Sequence, residues 1–83
     1  MKRSNVIRLI KTASRDHRLV FTSHALDEMN AEGETNESVA RALQTAKSFT
    51  LQDNRRWRVH GDELTVIVHV EDSTVIVWTV FAG

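Results

Sequence analysis

Arg56, Arg58, His60, His69 and Trp78 fall in the last third of this 83-residue chain, and His24 lies in the segment Phe21-Thr22-Ser23-His24-Ala25-Leu26-Asp27-Glu28-Met29. Arginine forks grip phosphate bidentately, an indole offers a plane for an unpaired base, and imidazole exchanges protons near neutral pH. Together these residue types suit RNA. Cleaving RNA without a metal requires the ribose 2′-oxygen deprotonated, the pentavalent phosphate stabilised and the leaving 5′-oxygen protonated. Two histidines, or one histidine with arginine, are sufficient for this. His24, His60, His69 and Arg58 are therefore the catalytic candidates, and Arg56, Arg58 and Trp78 the RNA-binding ones. The same set also suits a plain solvated sheet face, where charged residues are mostly found.

His24 follows the expected cap of a helix, where the dipole disfavours a cation and favours an anion nearby. Its plain role is packing or hydrogen bonding at the junction into that helix. His24 and Glu28, at i and i+4, could share a metal, but no third ligand is evident, and no cofactor is expected. His17 lies in a polar connection and receives no role. The sequence has no phosphate loop, nucleotide fingerprint, serine elbow or HExxH motif.

Composition narrows the classes further. Residues 1–83 form one domain, and a chain this short buries only about 60–65% of the surface its unfolded form exposes. The absence of cysteine excludes a disulfide scaffold, a thiolate zinc site and a thiol nucleophile, and fits a reducing cytoplasm. Met1 to Ile10 begins like a signal peptide, but Arg8 and Lys11 interrupt it and no small-residue cleavage site follows. No segment approaches the roughly 20 apolar residues of a membrane span. A cytoplasmic domain without membrane contact is the expectation. Eleven basic and eleven acidic residues cancel, which argues against strong non-specific nucleic-acid binding but allows a local basic patch. Asp27, Glu28, Glu32, Glu34 and Glu37 crowd the middle, whereas Arg55, Arg56 and Arg58 sit together later.

The elements that must position these residues follow from periodicity. Val6, Leu9, Ile10 and Ala13 recur at helical spacing and predict a helix over about 5–15, capped by Ser4 or Asn5. Arg18 to Phe21 is a short extended piece. Thr22 or Ser23 caps a second helix to about Ala31, with Ala25, Met29 and Leu26 inward and Gly33 as its terminator. Thr35 or Asn36 caps a third, whose stripe is Val39, Ala42, Leu43 and Ala46. The period then changes to two. Ser48–Gln52, Arg56–His60, Leu64–Glu71 and Thr74–Phe81 read as strands separated by Asp53-Asn54-Arg55, Gly61-Asp62 and Asp72-Ser73. Three helices followed by an antiparallel meander give an α+β domain with its helices on one face of the sheet.

Two-residue turns at Gly61-Asp62 and Asp72-Ser73 would place Val59 opposite Leu64, Trp57 opposite Val66 and Val68 opposite Val77. Opposed residues share a face. The helix-facing side is then Trp57, Val59, Leu64, Val66, Val68, Val70, Val75, Val77 and Phe81. The other side carries Arg56, Arg58, His60, Thr65, Ile67, His69, Ile76 and Trp78. A slip of one residue at either turn would exchange the two faces.

Val20-Phe21-Thr22-Ser23-His24-Ala25, then Met29, Gly33, a helix with Val39 and Ala42-Leu43, then Trp57-Arg58-Val59 and the paired valine strands, resemble domain-of-unknown-function family 4258. Members of that family read T-x-HA-x-x-R-M-x-x-R-x-I before a helix and a three- or four-stranded sheet. The resemblance covers about three-quarters of the chain, residues 18–81. It implies a RelE-like fold, in which N-terminal helices pack on one face of a three- to four-stranded antiparallel sheet. By way of the RelE-like and MqsR-like toxins of the barnase–EndoU–colicin–RelE group, it also implies a metal-independent endoribonuclease acting as the toxin of a toxin–antitoxin pair. His24 matches the family histidine and Arg58 its basic strand residue. Glu28 stands where the family has arginine, and Glu32 and Gly33 occupy the region of a second basic residue.

Two functions follow. One is a toxin-type ribonuclease acting on RNA, free or ribosome-bound, and restrained by a protein antitoxin whose basic segment would meet the acidic middle of the chain. The other is a non-catalytic protein-binding module of the same fold, which neutral charge and the two acidic departures favour. The edge strand Ser48–Gln52 offers a further contact, a homodimer.

Overall fold

The computed structural model describes residues 2–83. Helix α1 spans Arg3–Arg15 and buries Val6, Ile10, Ala13 and Ser14; its N-cap is Lys2, which makes no side-chain cap, rather than Ser4 or Asn5. It ends where Arg18 N–H reaches back to the Ala13 carbonyl at 2.8 Å and His17 takes a φ of +57°. That is a Schellman-type stop with a histidine in the left-handed position glycine usually fills.

The extended piece after α1 is β1 (Leu19–Phe21), and it pairs parallel with the last strand. The sheet therefore has five strands with one parallel pair, not three to four antiparallel strands. Three residues are too few for periodicity to reveal a partner that lies more than fifty positions away. Helix α2 (Ser23–Glu32) starts from Thr22, whose hydroxyl accepts the Ala25 N–H at 3.1 Å. It buries Ala25 and Met29 but leaves Leu26 47% exposed, so Leu26 points outward. Gly33 at φ +71° ends it. Helix α3 (Asn36–Thr45) opens with a reciprocal capping box between Thr35 and Ser38. Its C-terminal end is capped by Lys11, whose ammonium donates to the Gln44 and Ala46 carbonyls. Val39, Ala42, Leu43 and Ala46 are all buried, as their spacing predicts. No helix among the described residues is long and apolar enough to cross a membrane.

The remaining strands are β2 (Ser48–Leu51), β3 (Trp57–His60), β4 (Leu64–Glu71) and β5 (Thr74–Ala82). Their order is β1-β5-β4-β3-β2, which puts β4 in the middle. Asp72 and Ser73, both at positive φ, make the expected two-residue turn, with Glu71 opposite Thr74. The β3–β4 connection is longer than expected: His60 pairs with Thr65, Val59 with Val66 and Trp57 with Val68. The slip is two residues, an even number, so each side chain keeps its face. Gly61 permits the close approach of this connection to α3, since a Cβ there would stand 3.0 Å from that of Ala42.

A second departure changes a face. Val68 pairs with Val77 but Ile67 pairs with Thr79, leaving Trp78 as an extra residue on β5. Such a bulge reverses the alternation beyond it. Val80 therefore turns into the core at 1% exposure, and Phe81, expected there, lies on the opposite side.

Edge strand β2 is guarded. The Arg3 guanidinium donates to the Phe49 carbonyl at 2.8 Å and lies 5.6 Å from the Trp57 ring centroid. A charged side chain on an edge carbonyl obstructs strand addition. Arg3→Ala is expected to lower stability by about 1 kcal/mol and to make the protein associate with rising concentration through β2, read by urea titration and by light scattering after size exclusion.

Candidate nucleic-acid interface

On the sheet face away from the core, two arginines beside or on β3 reach across β4 to aromatic rings on β5. The Arg56 guanidinium lies 3.9 Å from the Trp78 ring centroid, and that of Arg58 lies 5.5 Å from the Phe81 centroid. Each such contact contributes about 0.5–2 kcal/mol. Together they roof the middle strand: Thr65 and Ile67, on this face, are only 1% and 7% exposed. The face is thus neither a bare solvated surface nor a deep cleft. It is a floor of Ile67 and Thr65 under half-buried guanidinium and aromatic planes.

Ile67 also marks where unpaired polar atoms gather. Among the described residues, the buried side-chain nitrogens without a hydrogen-bonding partner are Arg58 Nε, His69 Nδ1 and Trp78 Nε1. Arg58 is the cross-strand partner of Ile67, His69 lies two residues along β4 on the same face, and Trp78 is the bulged residue beside Thr79, Ile67's other partner. Diagonal neighbours in a sheet lie roughly 7–8 Å apart, so these side chains share one neighbourhood.

The histidines are dispersed. His60 Nδ1 lies 3.2 Å from the Thr65 hydroxyl, which itself donates to the Gly83 carbonyl. His69 Nε2 lies 3.7 Å from Glu71 Oε2. Thr65 and His69 are four residues apart on one strand, roughly 13 Å, so His60 and His69 stand at opposite ends of the face. His24 belongs to another surface. It is exposed on α2, and its Nε2 lies 3.4 Å from Glu28 Oε1. Arg56, Arg58, Trp78 and His69 are brought together; His60 lies at the margin and His24 outside.

Glu28 has a structural task that its sequence position did not reveal. β1 accompanies β5 only as far as Val77, with Thr22 N–H donating to the Val77 carbonyl at 3.1 Å. Beyond that point α2 replaces the strand, and Glu28 Oε1 accepts the Val80 N–H at 3.0 Å. A carboxylate supplies the acceptor that a longer β1 would have supplied; arginine could not. Phe81 is the one residue of the face that the sequence reading assigned elsewhere, because the bulge that redirects it has no local signature in a run of valines.

Surface cavities lie elsewhere on the molecule. One of about 270 Å³ separates α3 from the β3–β4 connection and is lined by Glu34, Ser38, Arg41, Asp62 and Glu63 among others. Among the described residues no group of three or more His, Cys, Asp or Glu side chains is placed to hold a metal ion.

No family model, no curated protein and no solved structure matches this chain.

Removing the Glu28 carboxylate strands a backbone donor at the β5 edge. Glu28→Ala is expected to cost about 1–3 kcal/mol and Glu28→Gln, which keeps an acceptor, less than half of that, both measured by urea denaturation. In a double-mutant cycle, Arg56→Ala and Trp78→Ala are expected to couple by about 1 kcal/mol.

Proposed function

We propose that this chain binds single-stranded RNA on the open face of its sheet and acts as a metal-independent endoribonuclease toxin of toxin–antitoxin type, with a RelE-like fold. The observation that carries the reading is the pair of arginine–aromatic stacks laid side by side across β4. Guanidinium planes present phosphate-gripping edges, and aromatic rings offer planar surfaces on which unpaired bases can stack. The motif Thr22-Ser23-His24-Ala25 read as resembling domain-of-unknown-function family 4258 suggests the same class, but no family model matches the chain, so the reading rests on the open face. In this reading Arg56 and Arg58 hold phosphate, Trp78 and Phe81 support bases, and His60 and His69, at the two ends of the face, are its acid–base groups. The location is the cytoplasm, and a protein antitoxin covers the same face.

One observation favours the second reading, a non-catalytic protein-binding module. His24, the residue matching the family histidine, faces Glu28 at the β5 edge, and His60, on β3 opposite Thr65, stands at the other end of the face from His69, so no two histidines flank one phosphate. Under that reading the face holds a partner protein without cleaving RNA.

Expression in a bacterial host separates the two. The ribonuclease reading expects growth arrest and RNA fragments that depend on Arg58 and His69, with Arg58→Ala and His69→Ala harmless. Harmless wild-type expression, with RNA and translating ribosomes left uncut, would sink it. Binding to single-stranded RNA is expected to weaken with salt at a log–log slope of only about −1.4, because two phosphate contacts release few counterions. Fluorescence anisotropy across a salt series reads that slope.

A further inference from the structure

We infer that the free edge of β2 is a docking site for an extended acidic segment of a partner protein, which lengthens the sheet by one strand and takes Arg3 as its counter-ion. The site lies apart from the arginine–aromatic face and does not depend on the RNA reading. β2 ends the sheet order, so one side of its backbone is open. The register shows which groups these are. Gln52 N–H donates to the Arg56 carbonyl at 2.9 Å, and hydrogen-bonded pairs alternate along an antiparallel ladder. Ser48 and Thr50 are therefore bonded to β3, while Phe49 and Leu51 turn their amides and carbonyls outward. An extended backbone is the ligand that matches such a row.

The side chains beside this edge define the partner further. Phe49 and Leu51 share the helix-facing side of the sheet with Val59 and Trp57, their partners on β3. There a cavity of about 430 Å³ opens along the strand, lined by Arg3, Phe49, Thr50, Leu51 and Trp57. Leu51 is 55% exposed at its rim, although Phe49 and Trp57 are buried. Residues of an added strand opposite Phe49 and Leu51 point to this same side. An apolar one opposite Leu51 covers it, and the one opposite Phe49 meets Arg3. That guanidinium donates to the Phe49 carbonyl at 2.8 Å, the acceptor an incoming strand needs. A carboxylate draws it away, because a charge-assisted bond is roughly twice as strong as a neutral one, and the carbonyl is released to the strand. Charge also disfavours the simplest alternative, a second copy. Residues 2–15 and 38–52, which hold this edge and the helix beside it, include Lys2, Arg3 and Lys47 but no aspartate or glutamate. Two such edges repel each other, whereas an acidic strand complements one.

The test is anisotropy of a short labelled peptide with leucine, glutamate and leucine at alternate positions among threonines, titrated with the full chain. This order reads the same in either strand direction. Replacing glutamate by glutamine is expected to weaken binding about tenfold, and Arg3→Ala, at concentrations where it is monomeric, to bring the two peptides close to equal. N-methylation of the glutamate and leucine amides, which face β2 in this register, should abolish binding. N-methylation of the threonine amides, which face away, should leave it intact, and neither peptide alters the protein's own stability. Amide exchange at Phe49 and Leu51, followed by NMR, should slow in the complex. Equal effects of the two methylation patterns, or unchanged exchange at Phe49 and Leu51, would overturn strand addition, and so would failure of the glutamate peptide to bind. Equal affinity of the glutamate and glutamine peptides for wild type would overturn the role of Arg3. Self-association that the peptide does not displace would give the edge to a second copy, and displacement of the peptide by polyuridine would give it to RNA; either overturns the acidic partner.

Discussion

The burial of β4 on both sides organises this molecule. Leu64 to Val68 are five consecutive buried residues at the centre of the sheet. Leu64, Val66 and Val68 face the helices, as any half-buried strand would arrange. Thr65 and Ile67 face the other way and owe their burial to the arginine–aromatic pairs that span from β3 to β5. In a domain of 83 residues, where helices can cover only one face, long side chains act as the second cover. Arginine suits the task because its stem is apolar and its plane stacks on a ring while keeping donors free at the edges. The same residues that complete the core thus present the chemistry of the open face.

The bulge at Trp78 makes this arrangement geometrically consistent. Without it, β5 would keep strict alternation from Val75 onward, and Phe81 would enter the core as Val75 and Val77 do. With it, Val77 and Val80 are both buried, Trp78 and Phe81 both reach the open face, and each arginine meets a ring. One inserted residue therefore decides whether the face carries one aromatic platform or two. The switch from β1 to α2 beside β5 is its counterpart at the edge. There Glu28 completes the hydrogen bonding of Val80, two residues beyond the bulge, so the irregular end of β5 is held by a carboxylate instead of a strand.

How much of this could be read from the chain alone depends on the distance over which each feature is encoded. The helices, the Thr35 cap, the Gly33 stop and the valine strands are written in spacings of three, four and two, and the sequence placed them within a few residues. Arg56, Arg58, His69 and Trp78 were assigned to one face because parity survives an even register slip. What escaped depends on tertiary pairing. The partner of β1 lies on β5, Phe81 is redirected by a bulge that costs the sequence nothing visible, and Leu26 fits a helical stripe that the structure turns outward. The expectation that His24 would serve the same site as the sheet histidines came from residue type and resemblance, and the geometry puts His24 beside Glu28 instead.

Charge places a final constraint on whatever meets the open face. Basic and acidic residues are equal in number, so no long-range attraction draws a polyanion to the protein as a whole. The acidic residues Asp27, Glu32 and Glu37 are exposed on α2 and α3, in the helical layer, whereas Arg56 and Arg58 lie on the opposite side of the sheet. The helical layer as a whole is not acidic, because α1 carries Arg3, Arg8, Lys11 and Arg15, so long-range charge singles out no face for a polyanion, the arginine face included. Affinity there must come from stacking and from short-range hydrogen bonds, since a Debye length of about 8 Å at physiological salt confines the arginines' pull to their own face. Neutral net charge therefore leaves recognition on the open face to short-range contacts.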